Sequence, residues 1–326
     1  MSTMRASRIE SIDQYRGYAV FGMILVNYLG DFGSMPWHLK HHDFGMSYAD
    51  TIAPLFMFVV GMGFRLSTLR RLVHESRYAV YMAALRRNLG LLAVGLVVYG
   101  PRFDNWRYWW DALVDIGVAG ILVLPVIGGG PKARVALAFA YAMLYQVLFA
   151  ATGYGEWTMS NSIDGGPLGP LSWAFILLLG TIAYDVVATK DPRRIVRACL
   201  GWGLALCLVG WLLRIEWPGL KAECPFTQRG MTIPYTLYST GLCFLMYLPF
   251  YFLADVRGWR LPHLAALGMN PLVIYIVQAA LGDMHGPFVV RSDSAAPMAL
   301  LGFAAFYFAC YAVAWRLYKD RIVIKL

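Results

Sequence analysis

Three histidines close together give this 326-residue sequence its most concentrated set of reactive side chains: His38, His41 and His42. Histidine has a pKa near 6.5, so it can take or give a proton at neutral pH or act as a nucleophile. Asp43 or Asp50 could fix the tautomer of a ring by a hydrogen bond. The pattern allows acid–base or nucleophilic chemistry, and the alternative is a loop of solvated polar side chains.

An asparagine stands shortly before this histidine group, inside an apolar stretch. Asn27 follows Arg16 by roughly 16 Å if the stretch is helical, at about 1.5 Å per residue. Its amide could cross-link two helices by a hydrogen bond. It could instead donate a hydrogen bond to an oxyanion that develops during a reaction.

A basic segment follows the second apolar stretch. Its six arginines are Arg65, Arg70, Arg71, Arg77, Arg86 and Arg87. Such a segment marks a cytoplasmic loop and attracts anionic lipid headgroups. Guanidinium groups also bind phosphates through paired hydrogen bonds. We therefore also consider Arg70, Arg71 and Arg87 as a docking surface for a phosphorylated cytosolic donor.

The composition indicates that membrane helices position these residues. Hydrophobic residues make up 59% of the chain, charged residues make up 14%, and the mean hydropathy is +0.54. Because a bilayer core needs roughly 20 helical residues to cross it, we predict about ten spans. They are 17–31, 50–68, 88–100, 110–127, 133–151, 170–187, 195–213, 234–253, 264–282 and 298–317. The prediction is an all-α polytopic membrane bundle, with residues 1–326 as a single domain.

The net charge of +9 does not indicate a nucleic-acid-binding protein. Lys and Arg alternate between the two sides of the predicted spans, with about three times as many on one side. This bias predicts that both termini are cytoplasmic. The sequence shows no signal-peptide pattern and no Cys-x-x-Cys or His/Cys metal spacing. We therefore predict a multi-pass protein of the bacterial inner membrane, without a metal.

A longer pattern runs from the first span into the second. Its residues are Arg8, Ser11, Ile12, Asp13, Arg16, Gly17, Met23, Val26, Asn27, Tyr28, Gly45, Ser47, Ala49, Asp50, Pro54, Phe56, Phe58 and Gly61. Later pieces are Asp164, Leu168, Gly169, Gly268, Met269, Asn270 and Tyr275. The order resembles the transmembrane acyltransferases related to lysosomal heparan-α-glucosaminide N-acetyltransferase. The resemblance is strongest over residues 8–67, which we define as the motif region.

The resemblance implies an enzyme that takes an acyl group from cytosolic acyl-CoA, with acetyl-CoA as the expected donor. It would deliver the group to an amine or hydroxyl of a carbohydrate-like acceptor on the far side of the membrane. The family's site asparagine corresponds to Asn27. Its catalytic histidine stands five residues before the glycine that corresponds to Gly45, and that position is Lys40 in this sequence. A one-residue gap in the alignment brings His41 to this position, whereas counting forward from Asn27 selects His38. We rank His41 first, His38 second and His42 third, as general base or acyl carrier.

Matching positions extend the predicted site, and one position departs from the family. We assign Asp13, Arg16, Asp50 and Asn270 to substrate binding. The family often shows Leu-Gln-Arg-Ile-Gly in the fourth span, where this chain has Asp115 in place of the arginine. Because this replacement reverses a charge, the resemblance does not identify the acceptor.

Two other classes of function remain alternatives to acyl transfer. One is a transporter or lipid flippase, and the other is a non-catalytic membrane scaffold. Membrane lipids are expected partners, and a homodimer is compatible with the sequence.

Overall fold

The structure, a computed structural model, describes residues 9–99, 109–215, 225–283 and 290–324. All regular elements in these ranges are helices, so the all-α prediction is confirmed there. Arg8, the first residue of the motif region, lies outside the described residues. In chain order the α-helices are α1 (Glu10–Leu29), α2 (Ala49–Leu72), α3 (Arg77–Tyr99), α4 (Ala112–Leu122), α5 (Leu124–Ile127), α6 (Pro131–Ala151), α7 (Tyr154–Asn161), α8 (Gly169–Val187), α9 (Pro192–Leu213), α10 (Ile233–Phe250), α11 (Pro262–Met269), α12 (Pro271–Asp283) and α13 (Ala296–Lys319). Short 3₁₀ turns occupy Trp37–Leu39 and Gly166–Leu168, and a π-helical segment, Tyr251–Val256, continues α10.

Most of these helices have the length and composition of membrane spans. Seven helical segments within the described residues are long and apolar enough to cross a bilayer. They are Ala49–Leu72, Arg77–Val98, Pro131–Ala151, Gly166–Val187, Pro192–Leu213, Ile233–Val256 and Ala296–Lys319. Helices α11 and α12 taken together are long and apolar enough to cross a bilayer, but the chain bends by 84° at the break between them. The chain is therefore an integral membrane protein of apolar helices, and the predicted count of about ten spans stays a prediction.

Proline and aspartate mark where several helices begin. Pro131, Pro192, Pro262 and Pro271 occupy the first position of α6, α9, α11 and α12. A proline fits there because its missing N–H would have no partner inside the helix. Before α9, the side chain of Asp191 also accepts hydrogen bonds from the first backbone N–H groups of that helix.

The described residues divide into two compact units. Residues 36–245 form the first, called here the continuous unit. In it α8 packs against α2, α4 and α6, and α3 packs against α4. Gly61 of α2 and Gly180 of α8 lie at the crossing of these two helices. A Cβ atom on Gly61 would meet the Leu177 carbonyl, and one on Gly180 would meet the Phe58 carbonyl. Only glycine allows this close approach of the two backbones.

The second unit, called here the split unit, contains residues 9–35 and 246–324. Its α1 packs against α11, α12, α13 and the π-helical segment. Asp255 of that segment accepts hydrogen bonds from Ser11 N (3.1 Å) and Ser11 Oγ (2.5 Å). The Tyr247 hydroxyl lies 2.6 Å from the same Ser11 Oγ. These bonds hold the start of α1, because they satisfy a backbone N–H that the helix leaves without an internal partner.

Candidate active site

His41 is the histidine that the structure joins to a carboxylate. Its Nδ1 lies 2.9 Å from Oδ1 of Asp50. The Asp50 side chain is fully buried, whereas 47% of the His41 side chain is exposed. A half-exposed imidazole backed by a buried carboxylate is the arrangement that orients a histidine and stabilises its protonated form.

The position of Asp50 is itself fixed by its neighbours. Asp50 lies in the first turn of α2, where the helix dipole favours a negative charge. Its second oxygen, Oδ2, accepts a hydrogen bond from Ser47 N at 2.8 Å. The Tyr235 hydroxyl donates to the Asp50 carbonyl at 2.6 Å, and Ser47 Oγ donates to the Lys40 carbonyl at 2.7 Å. The loop before His41 and the start of α2 are therefore tied together.

The other two histidines have different neighbours. The ring of His42 stacks on Trp37, with centroids 4.5 Å apart, and its Nε2 lies 3.1 Å from the Trp37 carbonyl. His38 meets the same tryptophan edge-on at 5.9 Å. Asp43, the alternative tautomer-fixing residue, pairs with Arg229 at 3.2 Å. Of the three histidines, His41 alone pairs with a carboxylate in the described part of the chain.

A second carboxylate, which we did not predict as a site residue, is close enough for its charge to act on His41. Asp164 precedes α8 and adopts a left-handed backbone conformation with φ of 52°. Its carbonyl accepts from Trp173 Nε1 at 3.1 Å, and its Oδ1 accepts from Gln228 Nε2 at 3.0 Å. The Gln228 side chain also acts on His41, whose pKa it raises. Asp164 was noted only as part of the family pattern, and no sequence signal indicated Gln228.

The charges around His41 adjust two pKa values toward neutrality. Burial lowers the pKa of His41, but the hydrogen bond to Asp50 and the charges of Asp50 and Asp164 outweigh it. The pKa of His41 therefore lies above its ordinary 6.5. Removal from water, with the negative charge of Asp111, raises the pKa of Asp164 to about 7, although His41 and Gln228 oppose this shift. Both groups can exchange protons near neutral pH.

No metal-holding group is present where the structure can be described. Within 9–99, 109–215, 225–283 and 290–324, no three His, Cys, Asp or Glu side chains are placed to hold an ion. Separately, the described residues support acid–base chemistry by an imidazole that is paired with the carboxylate of Asp50 and feels the charge of Asp164.

The predicted residues of α1 lie at its two ends. Asn27 is exposed, two residues before the helix ends at Leu29. Asp13 and Arg16 form an ion pair of 2.5 Å near the start of the helix. Asp13 and Asn27 are separated by roughly 21 Å along the helix, so α1 does not bring these residues together.

Asn270 lies at the break between α11 and α12 and is buried. Its Nδ2 donates to the Ile322 carbonyl at 2.8 Å, and its Oδ1 accepts from Ile324 N at 2.9 Å. The amide therefore holds the chain that follows α13.

The arginines assigned to a donor have separate surroundings. Arg71 makes two hydrogen bonds with Glu75, of 2.8 and 2.6 Å, on an exposed surface. The Arg87 guanidinium lies 6.0 Å from the centroid of the Phe64 ring. Arg70 is exposed.

A separate cluster of charged residues joins α2, α6 and α8 in the continuous unit. Arg65 Nε lies 2.9 Å from Asp185 Oδ1, and Arg134 pairs with the other oxygen of Asp185. Arg134, fully buried, also donates to Thr181 Oγ1 at 2.8 Å. Two guanidinium groups share one carboxylate, so the cluster keeps a net positive charge. Arg65 belongs to the predicted basic segment, whereas Arg134 was not predicted as a site residue.

Helix α2 connects these two sets of residues. Asp50 lies in its first turn, and Arg65 follows at roughly 22 Å along the axis. We call the group His41, Asp50, Asp164 and Gln228 the histidine end, and the group Arg65, Arg134 and Asp185 the arginine end. A helix of this length is comparable to the roughly 30 Å hydrocarbon core of a bilayer.

Comparison with known proteins identifies a family whose model covers most of the chain. The family model described as heparan-alpha-glucosaminide N-acetyltransferase, catalytic, matches residues 8–213. The human heparan-alpha-glucosaminide N-acetyltransferase is 29% identical over 113 residues, which are 34% of this chain and 17% of that protein. The mouse protein of the same name is 29% identical over 115 residues, 35% of this chain and 17% of that protein. These alignments span less than a fifth of each relative. The matched region contains His41, Asp50 and Asp164 and ends before Gln228.

Proposed function

The chain belongs to the heparan-alpha-glucosaminide N-acetyltransferase catalytic family, and from this premise we propose that it is a membrane acyltransferase dependent on acyl-CoA. The donor would be cytosolic, with acetyl-CoA first among the candidates. The acceptor would be an amine or hydroxyl of a sugar-like molecule on the opposite side of the membrane. The observation that carries the proposal is the half-exposed His41 held by the buried Asp50.

His41 is the general base in this proposal. Asp50 engages Nδ1, so Nε2 takes the proton from the acceptor N–H or O–H. The freed lone pair attacks the carbonyl carbon of the thioester, and the C–S bond breaks. The proton on Nε2 then neutralises the CoA thiolate, which leaves as the free thiol. In the alternative route Nε2 itself attacks the thioester and carries the acyl group to the acceptor.

Two carboxylates support this role of His41. The Asp50 hydrogen bond stabilises the imidazolium that forms when the base takes a proton. Asp164, with a pKa of about 7 and a hydrogen bond from Gln228, lies within electrostatic reach of the same ring. Asn27 keeps its assignment as the donor of a hydrogen bond to the oxyanion, on the strength of its place in the family pattern.

The arginine end supports the donor part of the proposal. Arg65 and Arg134 present an excess of positive charge over the single carboxylate of Asp185. Such a cluster suits the phosphates of CoA better than Arg71 does, because Glu75 already occupies that guanidinium. This assignment places the arginine end on the cytoplasmic side and the histidine end on the outer side. Cytoplasmic termini and a bacterial inner membrane belong to the same proposal.

Release of free CoA tests the proposal directly. Purified protein in detergent is given acetyl-CoA, with and without a panel of amino and neutral sugars. Wild type runs beside His38→Ala, His41→Ala and His42→Ala. Acceptor-dependent release that disappears in His41→Ala and persists in the other two variants is the expected result.

Two outcomes would overturn acyl transfer by His41. Release that survives in His41→Ala would remove the proposed base. Protein that neither binds acetyl-CoA saturably nor releases CoA would favour the transport alternative. The broken pair α11 and α12 is a feature that transporters share, so uptake of the same sugars into proteoliposomes would then be measured.

A further inference from the structure

Four aromatic side chains form a stacked row along α13, in the split unit. They are Phe303, Tyr307, Tyr311 and Trp315, which follow one another at intervals of four residues. Residues so spaced lie on one face of a helix. The centroids of successive rings are 5.9 Å apart at each of the three steps, and their planes lie within 31° of parallel. We call these four residues the aromatic row.

The protein covers only one side of the aromatic row. Phe21 of α1 meets Tyr307 edge-on at 5.5 Å, and Tyr28 of α1 lies 6.1 Å from Phe303. All four residues of the row are half-buried, whereas Phe308 on another face of α13 is 64% exposed. Helix α1 therefore forms a wall along the row, and the rings keep an open surface toward the membrane.

A lysine stands at one end of the aromatic row. The Lys319 ammonium lies 5.6 Å from the centroid of the Trp315 ring, within the range of a cation–π contact. The neighbouring acid, Asp320, pairs with Arg316 at 2.8 Å. No carboxylate pairs with Lys319 among the residues that the structure describes, so its charge is available to an anion beside the last ring.

The end of α13 that carries Lys319 is fixed in place. The Ile322 N–H donates to the Leu317 carbonyl at 2.9 Å. Asn270 then holds the Ile322 carbonyl at 2.8 Å and the Ile324 N–H at 2.9 Å. Lys319 therefore belongs to an ordered helix end, and the distance between its charge and the aromatic row is set by the fold.

The length of the aromatic row matches one leaflet of a bilayer. Phe303 and Trp315 are separated by roughly 18 Å along the helix. The hydrocarbon core is about 30 Å thick, so each leaflet contributes about 15 Å of it. Tryptophan and lysine typically lie at the level of the headgroups. An acyl chain that begins beside Lys319 would run along the whole row.

We propose that the aromatic row and Lys319 bind one anionic phospholipid, whose phosphate pairs with Lys319 while an acyl chain packs along the rings. The charge of Lys319 favours an anionic headgroup, since the choline cation of a zwitterionic lipid offsets the attraction. A second copy of the chain fits this face less well, because close packing of membrane helices favours small residues. The site lies in the split unit and does not depend on the proposed acyl transfer.

Lipid binding measured by native mass spectrometry tests the headgroup part of the site. Protein in detergent is titrated with phosphatidylglycerol or phosphatidylcholine that carry identical acyl chains. Wild type is expected to bind one phosphatidylglycerol about tenfold more tightly than phosphatidylcholine, the effect of one charge-assisted hydrogen bond. Lys319→Ala should abolish this preference. Lys132→Ala is the matched control, since Lys132 is an exposed lysine at the start of α6, and it should keep the preference.

A second pair of variants tests the acyl-chain part of the site. Tyr311→Ala removes a ring from the middle of the row, so it should weaken the binding of both lipids by about three- to tenfold. Phe308→Ala removes an exposed ring of the same helix outside the row and should leave both affinities unchanged. If an alanine variant fails to fold, Lys319→Arg and Tyr311→Phe keep the charge and the ring, and both should retain the affinities of wild type.

Four results would overturn the proposal. Equal affinity of wild type for the two lipids, or equal losses in Lys319→Ala and Lys132→Ala, would reject the headgroup site. Equal losses in Tyr311→Ala and Phe308→Ala would reduce the row to ordinary lipid-facing surface. A dimer in the mass spectrum of wild type that dissociates in Tyr311→Ala would assign the row to a second copy of the chain.

Discussion

The two ends of the continuous unit place their charges in different ways. At the histidine end, His41 is half-exposed and its carboxylate partner Asp50 is buried. At the arginine end, Arg65 and Arg134 are buried, and the shared Asp185 is the most exposed of the three. An exposed imidazole can reach a substrate and exchange protons with it. Buried guanidinium groups hold their position and offer charge. The comparison separates a reactive group from a cluster that anchors helices and attracts anions.

The largest expected effect concerns the reactive group. His41→Ala should lower acceptor-dependent CoA release by about 10²- to 10⁴-fold, because the general base is lost. His42→Ala is the matched control, since that ring stacks on Trp37, and it should retain most of the activity. Steady-state kinetics on both variants make the comparison. Equal losses would mean that the histidine loop acts through its conformation.

The next effect concerns the anchoring cluster. Asp185→Asn should destabilise the protein by about 2 kcal/mol or more, because two buried cations lose their shared carboxylate. The figure is below the usual range for buried pairs, since the Asp185 side chain is 27% exposed. Thermal unfolding in detergent measures it, with Asp293→Asn as the exposed control. A melting temperature equal to that of wild type would show that the cluster contributes little to folding.

A smaller effect on rate, with a change in pH dependence, is expected at Asp50. Asp50→Asn removes a charge-assisted hydrogen bond, so kcat should fall by about ten- to a hundredfold. In wild type, kcat/KM should rise with pH through a midpoint above 6.5, as the raised pKa of His41 requires. Without the Asp50 carboxylate that pKa falls, so the midpoint should move to lower pH. An unmoved midpoint would assign the titration to another group.

The smallest effect is expected at Arg71. Its guanidinium lies on an exposed surface and binds Glu75, so Arg71→Ala should change the KM for acetyl-CoA by less than about twofold. Arg65→Ala, from the arginine end, should raise that KM more. A larger increase in KM for Arg71→Ala than for Arg65→Ala would indicate that the donor binds at the exposed basic segment instead.

Several features of the helices and of the site could be predicted from residues near each other in the chain. The apolar blocks predicted the membrane helices because a bilayer accepts long apolar helices whose backbone groups are satisfied internally. Proline positions matched the starts of α6, α9, α11 and α12. The sequence offered Asp43 and Asp50 as partners for a histidine of this loop, and His41 and Asp50 are nine residues apart. The histidine ranking and the role of Asn27 remain predictions.

The other contacts of the histidine end and the arginine end join residues that are far apart in the chain. Gln228 and Asp164 are separated by 64 residues, Arg134 and Asp185 by 51, and Arg65 and Asp185 by 120. No local pattern joins such residues, since their meeting depends on which helix faces pack together. Asp115 illustrates the same limit, because its charge was visible in the sequence but its complete burial was not. By itself the sequence determined the helical membrane class and the loop with the reactive histidines. Tertiary packing decided which histidine has a carboxylate, because burial and long-range contacts exist only once the helices have assembled.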